Sequence, residues 1–111
     1  MKTIKSWAEE DRPREKMLSK GKEALSNSEL LAILIGSGNS KESAVDLSRR
    51  ILSDKNDNLI EMSKLNINEL MKYNGIGEAK AVSIMAALEL GRRRRYSEAL
   101  EQPSIKNSKI A

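Results

Sequence analysis

The stretch Asn74-Gly75-Ile76-Gly77-Glu78-Ala79-Lys80-Ala81 lies between two helical patterns and decides how the chain folds. Glycine accepts positive φ and lets another backbone approach closely, so two glycines two residues apart suit a tight turn between helices. The helix that follows presents free N–H groups and the positive end of its dipole at the same place. This combination is typical of phosphate-binding sites, although a turn that only reverses the chain would use the same glycines.

The composition of the 111 residues is that of one small helical domain. Apolar residues make up 39% and Phe is absent, so we expect a core of Leu, Ile and Ala. The predicted fold class is all-α, a compact bundle of about five or six short helices. No apolar run is long enough to cross a membrane and none follows a basic leader, so we expect no membrane contact and no signal peptide. The absence of Cys fits the reducing cytoplasm, where we expect the protein to be.

The sequence contains neither His nor Cys, which removes the commonest catalytic base and the usual zinc ligands. Carboxylates remain, but they fall at predicted helix starts and on solvated faces rather than in a candidate catalytic pair. We therefore expect no catalytic residue and no metal site, and this chain is not predicted to be an enzyme.

The net charge of +4 is concentrated in the half of the chain that contains the glycine turn. Residues 1–63 hold 11 basic and 11 acidic side chains, whereas residues 64–111 hold 9 basic and 5 acidic. An excess of positive charge beside a turn that can hold phosphate indicates nucleic acid as a partner.

Two capping boxes, Ser26 with Glu29 and Asn66 with Glu69, predict the starts of two helices. We expect the apolar residues that follow each box at helical spacing to face the core. They are Leu30, Leu31, Leu34 and Ile35 after the first box, and Ile67, Leu70 and Met71 after the second.

Single residues predict the boundaries of further helices. Pro13 suits the first turn of a short helix that Gly21 ends. Ser40 is expected to cap a helix over residues 41–53, and residues 58–63 are expected to form one or two helical turns.

The longest helix is predicted from Glu78 to about Arg93, because Gly91 breaks its apolar periodicity. From Tyr96 onward the sequence shows no helical period and is expected to be a frayed linker.

The chain contains an internal repeat of capped helix, Gly-x-Gly turn and second helix. The two boxes match at an offset of 40 residues, and the glycines of the two turns match at an offset of 39: Gly36 and Gly38 with Gly75 and Gly77. A buried Ile76 would hold the second turn to the core, whereas Ser37 takes its place in the first. We therefore expect the first turn to be looser. The alternative to a true repeat is that two helical hairpins of similar length coincide by chance.

Residues 74–81 resemble the helix-hairpin-helix motif of DNA repair and recombination proteins, and two such units resemble the tandem form of that domain. More narrowly, the chain is similar to the amino-terminal domain of the bacterial RadC family. The similar stretches are residues 12–16, 25–34, 75–81 and 87–93.

That resemblance implies a tandem helix-hairpin-helix-like domain over residues 26–95, with a well-formed second hairpin and a degenerate first one. Residues 1–25 would be an arm and a short helix packed on the body. In that family a second domain follows, similar to zinc-dependent isopeptidases of the JAB/MPN type, whose His ligands have no counterpart here. Residues 96–111 are then expected to be a linker toward this carboxy-terminal metallo-domain, and the chain a fragment without peptidase activity.

The resemblance also implies a non-sequence-specific DNA-binding module. Phosphate oxygens would bind the backbone at Gly75, Ile76, Gly77 and Ala79, and Lys80 would add a charged contact. In related hairpins the carbonyl groups can hold a monovalent cation, here at the hairpin of Gly75 and Gly77, and no other cofactor is implied.

Several residues leave alternatives open. Glu78 stands where many such hairpins have Pro, and its carboxylate would repel a phosphate at the same turn. The run Arg92, Arg93, Arg94 and Arg95 is either a secondary phosphate-contacting patch or a set of cations that oppose the helix dipole. The rival function is a protein-interaction or regulatory module for the absent metallo-domain, with a purely structural hairpin. The oligomeric state is not determined by these patterns.

Overall fold

Six helices and one short 3₁₀ turn make up residues 12–101, the part of the chain that this computed structural model describes. They are α1 (Pro13–Lys20), the 3₁₀ turn (Lys22–Ala24), α2 (Asn27–Ile35), α3 (Ala44–Asp54), α4 (Leu59–Ser63), α5 (Ile67–Leu70) and α6 (Glu78–Glu101). No β-strand occurs in this range, so the expected all-α fold is confirmed. The arm of residues 1–11 and the linker residues 102–111 lie outside the described residues.

Both capping boxes form as the sequence predicts. The Ser26 hydroxyl accepts from the N–H of Glu29 at 3.2 Å, and the Glu29 carboxylate accepts from the N–H of Ser26 at 2.9 Å. Asn66 and Glu69 repeat this exchange at 2.8 and 2.9 Å. Each box satisfies two backbone donors that the first helical turn leaves open, and so fixes where α2 and α5 begin.

The core lies among α2, α3 and α6. The first of these packs on both others, α1 packs on α2, and α4 and α5 pack on α6. The apolar cluster of the core consists of aliphatic residues and one Met, as the composition predicts: Leu31, Ala32, Ile35, Ala44, Val45, Leu47, Ile51, Leu52, Met62, Leu65, Leu70, Ile76, Ala81 and Ile84.

Three apolar residues that the sequence places on the core face are exposed instead. The exposed fractions are 36% for Leu30, 41% for Leu34 and 41% for Met71. A short helix buries only the stripe that faces its partners, so apolar residues at the margins of that stripe remain in solvent.

The start of α3 differs from the prediction, because the helix begins at Ala44 and its N-cap is Ser43 rather than Ser40. Asn39 explains the difference. Its side-chain oxygen accepts from the N–H groups of residues 41 and 42, at 2.8 and 3.0 Å. In a helix starting at residue 41, these N–H groups would bond to the cap of that helix. Because the Asx turn already bonds them to Asn39, α3 starts only after the turn.

The predicted end of the last helix near Arg93 is wrong, since α6 continues through Gly91 to Glu101. One exposed glycine costs a helix only about 1 kcal/mol, which 24 residues of helix accommodate. Ion pairs along the helix surface offset part of this cost: Arg92 and Arg93 with Glu89, and Arg94 with Glu98. Residues 96–101 are therefore helical, while their role as a linker stays a prediction.

Candidate nucleic-acid interface

Two loops lie side by side in this fold. The first loop, residues 36–43, joins α2 to α3, and the second loop, residues 71–77, joins α5 to α6. They meet at Gly75, whose φ is +104°. A Cβ on Gly75 would lie 3.0 Å from the carbonyl oxygen of Gly38 and 3.1 Å from Cδ2 of Leu47. Glycine is therefore required here by its backbone conformation and by the close approach of the first loop.

Ile76 anchors the second loop. Its side chain is 3% exposed and belongs to the core cluster, and its N–H donates to the carbonyl oxygen of Tyr73 at 3.0 Å. Ser37, which replaces it in the first loop, is exposed. The predicted burial of Ile76 is confirmed, and its N–H is engaged within the loop rather than open to a ligand.

Four hydrogen bonds join the two loops or close the second one. The side-chain amide of Asn39 donates to the carbonyl oxygen of Asn74 at 2.7 Å. The ammonium of Lys80 donates to the carbonyl oxygen of Ser37 at 2.8 Å, to the Ser37 hydroxyl at 3.0 Å and to the carbonyl oxygen of Gly75 at 2.9 Å. The carbonyl groups of Asn74 and Gly75 in the second loop thus bond to protein donors.

The N–H groups at the same place remain open. Within residues 12–101, no acceptor bonds to the backbone N–H of Gly75, Gly77, Glu78, Ala79 or Lys80. The Gly77 carbonyl accepts from the N–H of residue 81 at 3.0 Å, which makes Gly77 the N-cap of α6. The second loop and the first turn of α6 therefore present a row of donors with no carbonyl bonded to them.

The first loop has the same glycine spacing but uses its own donors. Asn39 bonds the N–H groups of residues 41 and 42, and its own N–H donates to the carbonyl oxygen of Glu42 at 3.0 Å. Ser43 caps α3 by accepting from the N–H of residue 46 at 3.1 Å. The two copies of the repeat therefore differ in which backbone donors they leave available.

A polar network braces both loops from α3. Arg50 forms a two-pronged ion pair with Glu42 at 2.8 and 2.9 Å, and its guanidinium lies 5.4 Å from the centre of the Tyr73 ring. The Tyr73 hydroxyl donates to Asp54 at 2.6 Å, and burial together with this bond raises the pKa of Tyr73 to about 12. The bonds from Arg50 and Asn39 hold the pKa of Glu42 below its usual range. No pattern in the sequence predicts this network.

Each of the two loops carries a cation that has no ion-pair partner in the described residues. Lys41 of the first loop and Lys72 of the second are both exposed. No motif in the sequence marks these two lysines, although each lies within three residues of a loop glycine. The carboxylate of Glu78 is exposed at the start of α6, as the sequence predicts.

The arginine run is separated from the loops. Its first member, Arg92, lies fourteen residues after Glu78 along α6, which corresponds to about 20 Å along the helix axis. Arg92 and then Arg93 hold the pKa of Glu89 at about 2, whereas Arg95 has no ion-pair partner within residues 12–101. The two predicted phosphate-contacting regions are therefore not brought together.

Residues 12–101 contain neither a cluster of metal ligands nor a helix suited to span a membrane. No group of His, Cys, Asp or Glu side chains in this range could hold a metal ion. The Gly75 carbonyl, which the resemblance suggests for a monovalent cation, accepts from the ammonium of Lys80. None of these helices is both long and apolar enough to span a membrane.

Residues 4–82 match the family model described as UPF0758 N-terminal. The chain is also similar to curated proteins named UPF0758 protein. It is 58% identical to the one from Flavobacterium johnsoniae over 97% of this chain and 47% of that protein. It is 46% identical to the one from Porphyromonas gingivalis over 98% of this chain and 48% of that protein.

A third relative, the UPF0758 protein of Moorella thermoacetica, is 52% identical over 82% of this chain and 39% of its own length. The chain thus spans about half the length, or less, of these relatives. No solved structure matches it.

Proposed function

We propose that this chain, which belongs to the UPF0758 family, is a DNA-binding module that contacts backbone phosphates through the second loop and the start of α6. The resemblance to the RadC family and to tandem helix-hairpin-helix domains supports the same function. Binding of this kind is independent of base sequence, because N–H groups and lysine side chains contact phosphates rather than base edges.

The observation that carries the proposal is the row of open N–H groups at Gly75, Gly77, Glu78 and Ala79. Donors at the start of a long helix attract phosphate through hydrogen bonds and through the helix dipole. The carbonyl group of Asn74, which would repel phosphate, bonds to the first loop instead.

Gly77 offers the sharpest test, because nothing lies within 4 Å of a Cβ at that position. Aspartate is a favourable N-cap, so in Gly77→Asp the new carboxylate takes the N–H groups of α6 for itself and repels phosphate without destabilising the helix. Gly77→Ala adds the same Cβ without the carboxylate and is the matched control.

Fluorescence anisotropy with a labelled DNA duplex at several salt concentrations measures the effect. The wild type and Gly77→Ala are expected to bind with a Kd on the order of 10⁻⁴–10⁻⁶ M, with a slope of log K against log salt of about −3 for three or four neutralised phosphates. Gly77→Asp is expected to bind at least about tenfold more weakly. Absence of wild-type binding at low salt, or equal binding by the two variants, excludes this function.

The same titration with Glu78→Gln tests the opposing charge. Removal of a carboxylate from the first turn of α6 is expected to tighten binding several-fold, because the carboxylate no longer repels the phosphate that the N–H groups attract.

The cytoplasmic location and the absence of catalytic activity are part of the same proposal.

One observation favours the alternative, a protein-interaction module for the remainder of the longer protein. Leu90, Tyr96 and Leu100 on the outer part of α6 are 69%, 62% and 68% exposed. In this case the separately produced remainder of a longer relative would bind this chain in calorimetry, and Leu90→Ser with Leu100→Ser would abolish that binding while leaving DNA affinity unchanged. If calorimetry shows no heat of association, the alternative is excluded.

A further inference from the structure

Lys80 is the residue whose observed contacts depart furthest from the role that the resemblance gives it. An ammonium group has three N–H donors, and all three point to protein oxygens within 3.0 Å. Two of these oxygens belong to Ser37, 43 residues earlier in the chain, and the third belongs to Gly75. The side chain therefore spans from α6 to both loops.

We propose that Lys80 is a positioning residue that locks the two loops together, and that it is not itself a phosphate ligand. The other contacts across the loops have the same effect. Asn39 donates to the carbonyl oxygen of Asn74, and the backbone of Gly75 packs against the carbonyl oxygen of Gly38. Lys80 adds the only charge-assisted hydrogen bonds among these contacts, and such bonds are stronger than neutral ones.

This geometry has a consequence for the open donors. Lys80 and Asn39 together hold the carbonyl groups of the second loop on the side of the first loop, so the N–H groups of Gly77 and Ala79 keep their orientation when no ligand is bound. If phosphate took the ammonium away, the carbonyl group of Gly75 would lose its charged partner. Lys41 and Lys72, which are exposed and have no ion-pair partner in the described range, then supply the mobile positive charge.

Amide hydrogen exchange tests the lock without any DNA. Lys80→Met removes the ammonium and keeps a chain of similar length. We expect exchange at least about tenfold faster at the N–H of Ile76 in the second loop and also at the N–H of Asn39 in the first, since both are hydrogen-bonded within their loops. Lys72→Met is the matched control and is expected to leave both rates unchanged.

A direct spectroscopic signature is the ¹⁵N–¹H signal of the lysine ammonium. The Lys80 signal, identified by its absence from Lys80→Met or Lys80→Arg, is expected to persist at low temperature and near neutral pH, where freely solvated ammonium groups exchange too fast to observe. Ser37→Ala removes one of its acceptors and is expected to weaken that signal. The measurement on the wild type remains decisive if Lys80→Met fails to fold.

The DNA titration separates a phosphate ligand from a positioning residue, and in this part alone the inference rests on the proposed function. Lys41→Gln and Lys72→Gln are each expected to reduce the salt slope by about one, while Lys80→Met weakens binding with the slope unchanged. A slope reduced by about one in Lys80→Met, or exchange at Ile76 and Asn39 within twofold of the wild type, overturns the inference. If the wild type binds no DNA, the proposed function fails while the exchange rates and the ammonium signal still decide the role of Lys80.

Discussion

Gly38 is the position at which a single added methyl group should be most harmful. A Cβ there would overlap the carbonyl oxygen of Glu42 and lie 2.7 Å from that of Ser43. Both are backbone atoms of the first loop and cannot move aside as a side chain would.

Gly38→Ala is accordingly expected to lower the free energy of unfolding by about 3 kcal/mol, through steric overlap in a packed loop. Urea denaturation followed by circular dichroism measures this. Gly77→Ala, where a Cβ meets nothing within 4 Å, is expected to change stability by no more than about 1 kcal/mol. Equal midpoints for the two variants would contradict the crowding at Gly38.

Tyr73 gives the chain a pH dependence in the alkaline range. In the folded protein the pKa of this phenol is about 12, against an ordinary value of 10.0. Below about pH 10 the phenol is protonated in both states, so its contribution to stability is complete. As the pH rises from about 10 to 12, the unfolded chain loses the proton first, and stability falls.

The ultraviolet absorbance of tyrosinate is therefore expected to show one phenol titrating near pH 12. Tyr73→Phe is expected to lose that step, and with it the share of alkaline destabilisation that Tyr73 contributes. Titration of Tyr73 near pH 10 in the folded protein would contradict both the burial of the phenol and its bond to Asp54.

Single residues were predicted well where the signal is local. Burial of Ile76 and the exchange between Ser26 and Glu29 follow from residues a few positions apart. The sequence also shows that Lys80 is basic, but it does not show that Lys80 bonds to Ser37. Ser37 is distant in the sequence and contributes a backbone oxygen. No local pattern reveals such a contact.

At the level of the elements, α6 shows most clearly how a propensity can mislead. Gly91 suggested a helix end, yet helix formation is cooperative, and residues on both sides continue the hydrogen-bond ladder. The predicted start of α3 was wrong for the opposite reason, since Asn39 forms a local turn that competes with the helix. Capping boxes with two reciprocal bonds were the reliable boundary signals.

Gly91→Ala is expected to favour the helical state of residues 92–101 by about 1 kcal/mol, because alanine loses less backbone freedom than glycine on forming a helix. Amide exchange of those residues should then slow by about fivefold. Gly91→Pro should have the opposite effect there while leaving the exchange of the buried Ile84 amide unchanged. Equal exchange in the wild type and in Gly91→Ala would show that the glycine does not limit the outer helix.

For the whole molecule, the internal repeat is the main organising feature. Both copies begin with a capping box and turn at paired glycines, and the loops of the two copies contact each other directly. The sequence predicted two such units and a looser first turn, and the looseness of that turn stays a prediction. It did not predict that Asn39 and Ser43 of the first copy bond the N–H groups of residues 41, 42 and 46, while the first loop also supports the second.

The uninterrupted α6 also determines the direction, around the helix axis, in which the chain leaves the end of the helix. Residues 92–101 extend it by about 15 Å, and each residue turns the helix by about 100°. Inserting one residue in this segment would move the end of the helix by only about 1.5 Å but swing its direction of exit by more than a quarter turn. Inserting seven residues would lengthen it by about 10 Å and nearly restore that direction. Changes in the length of this segment thus alter orientation and reach independently.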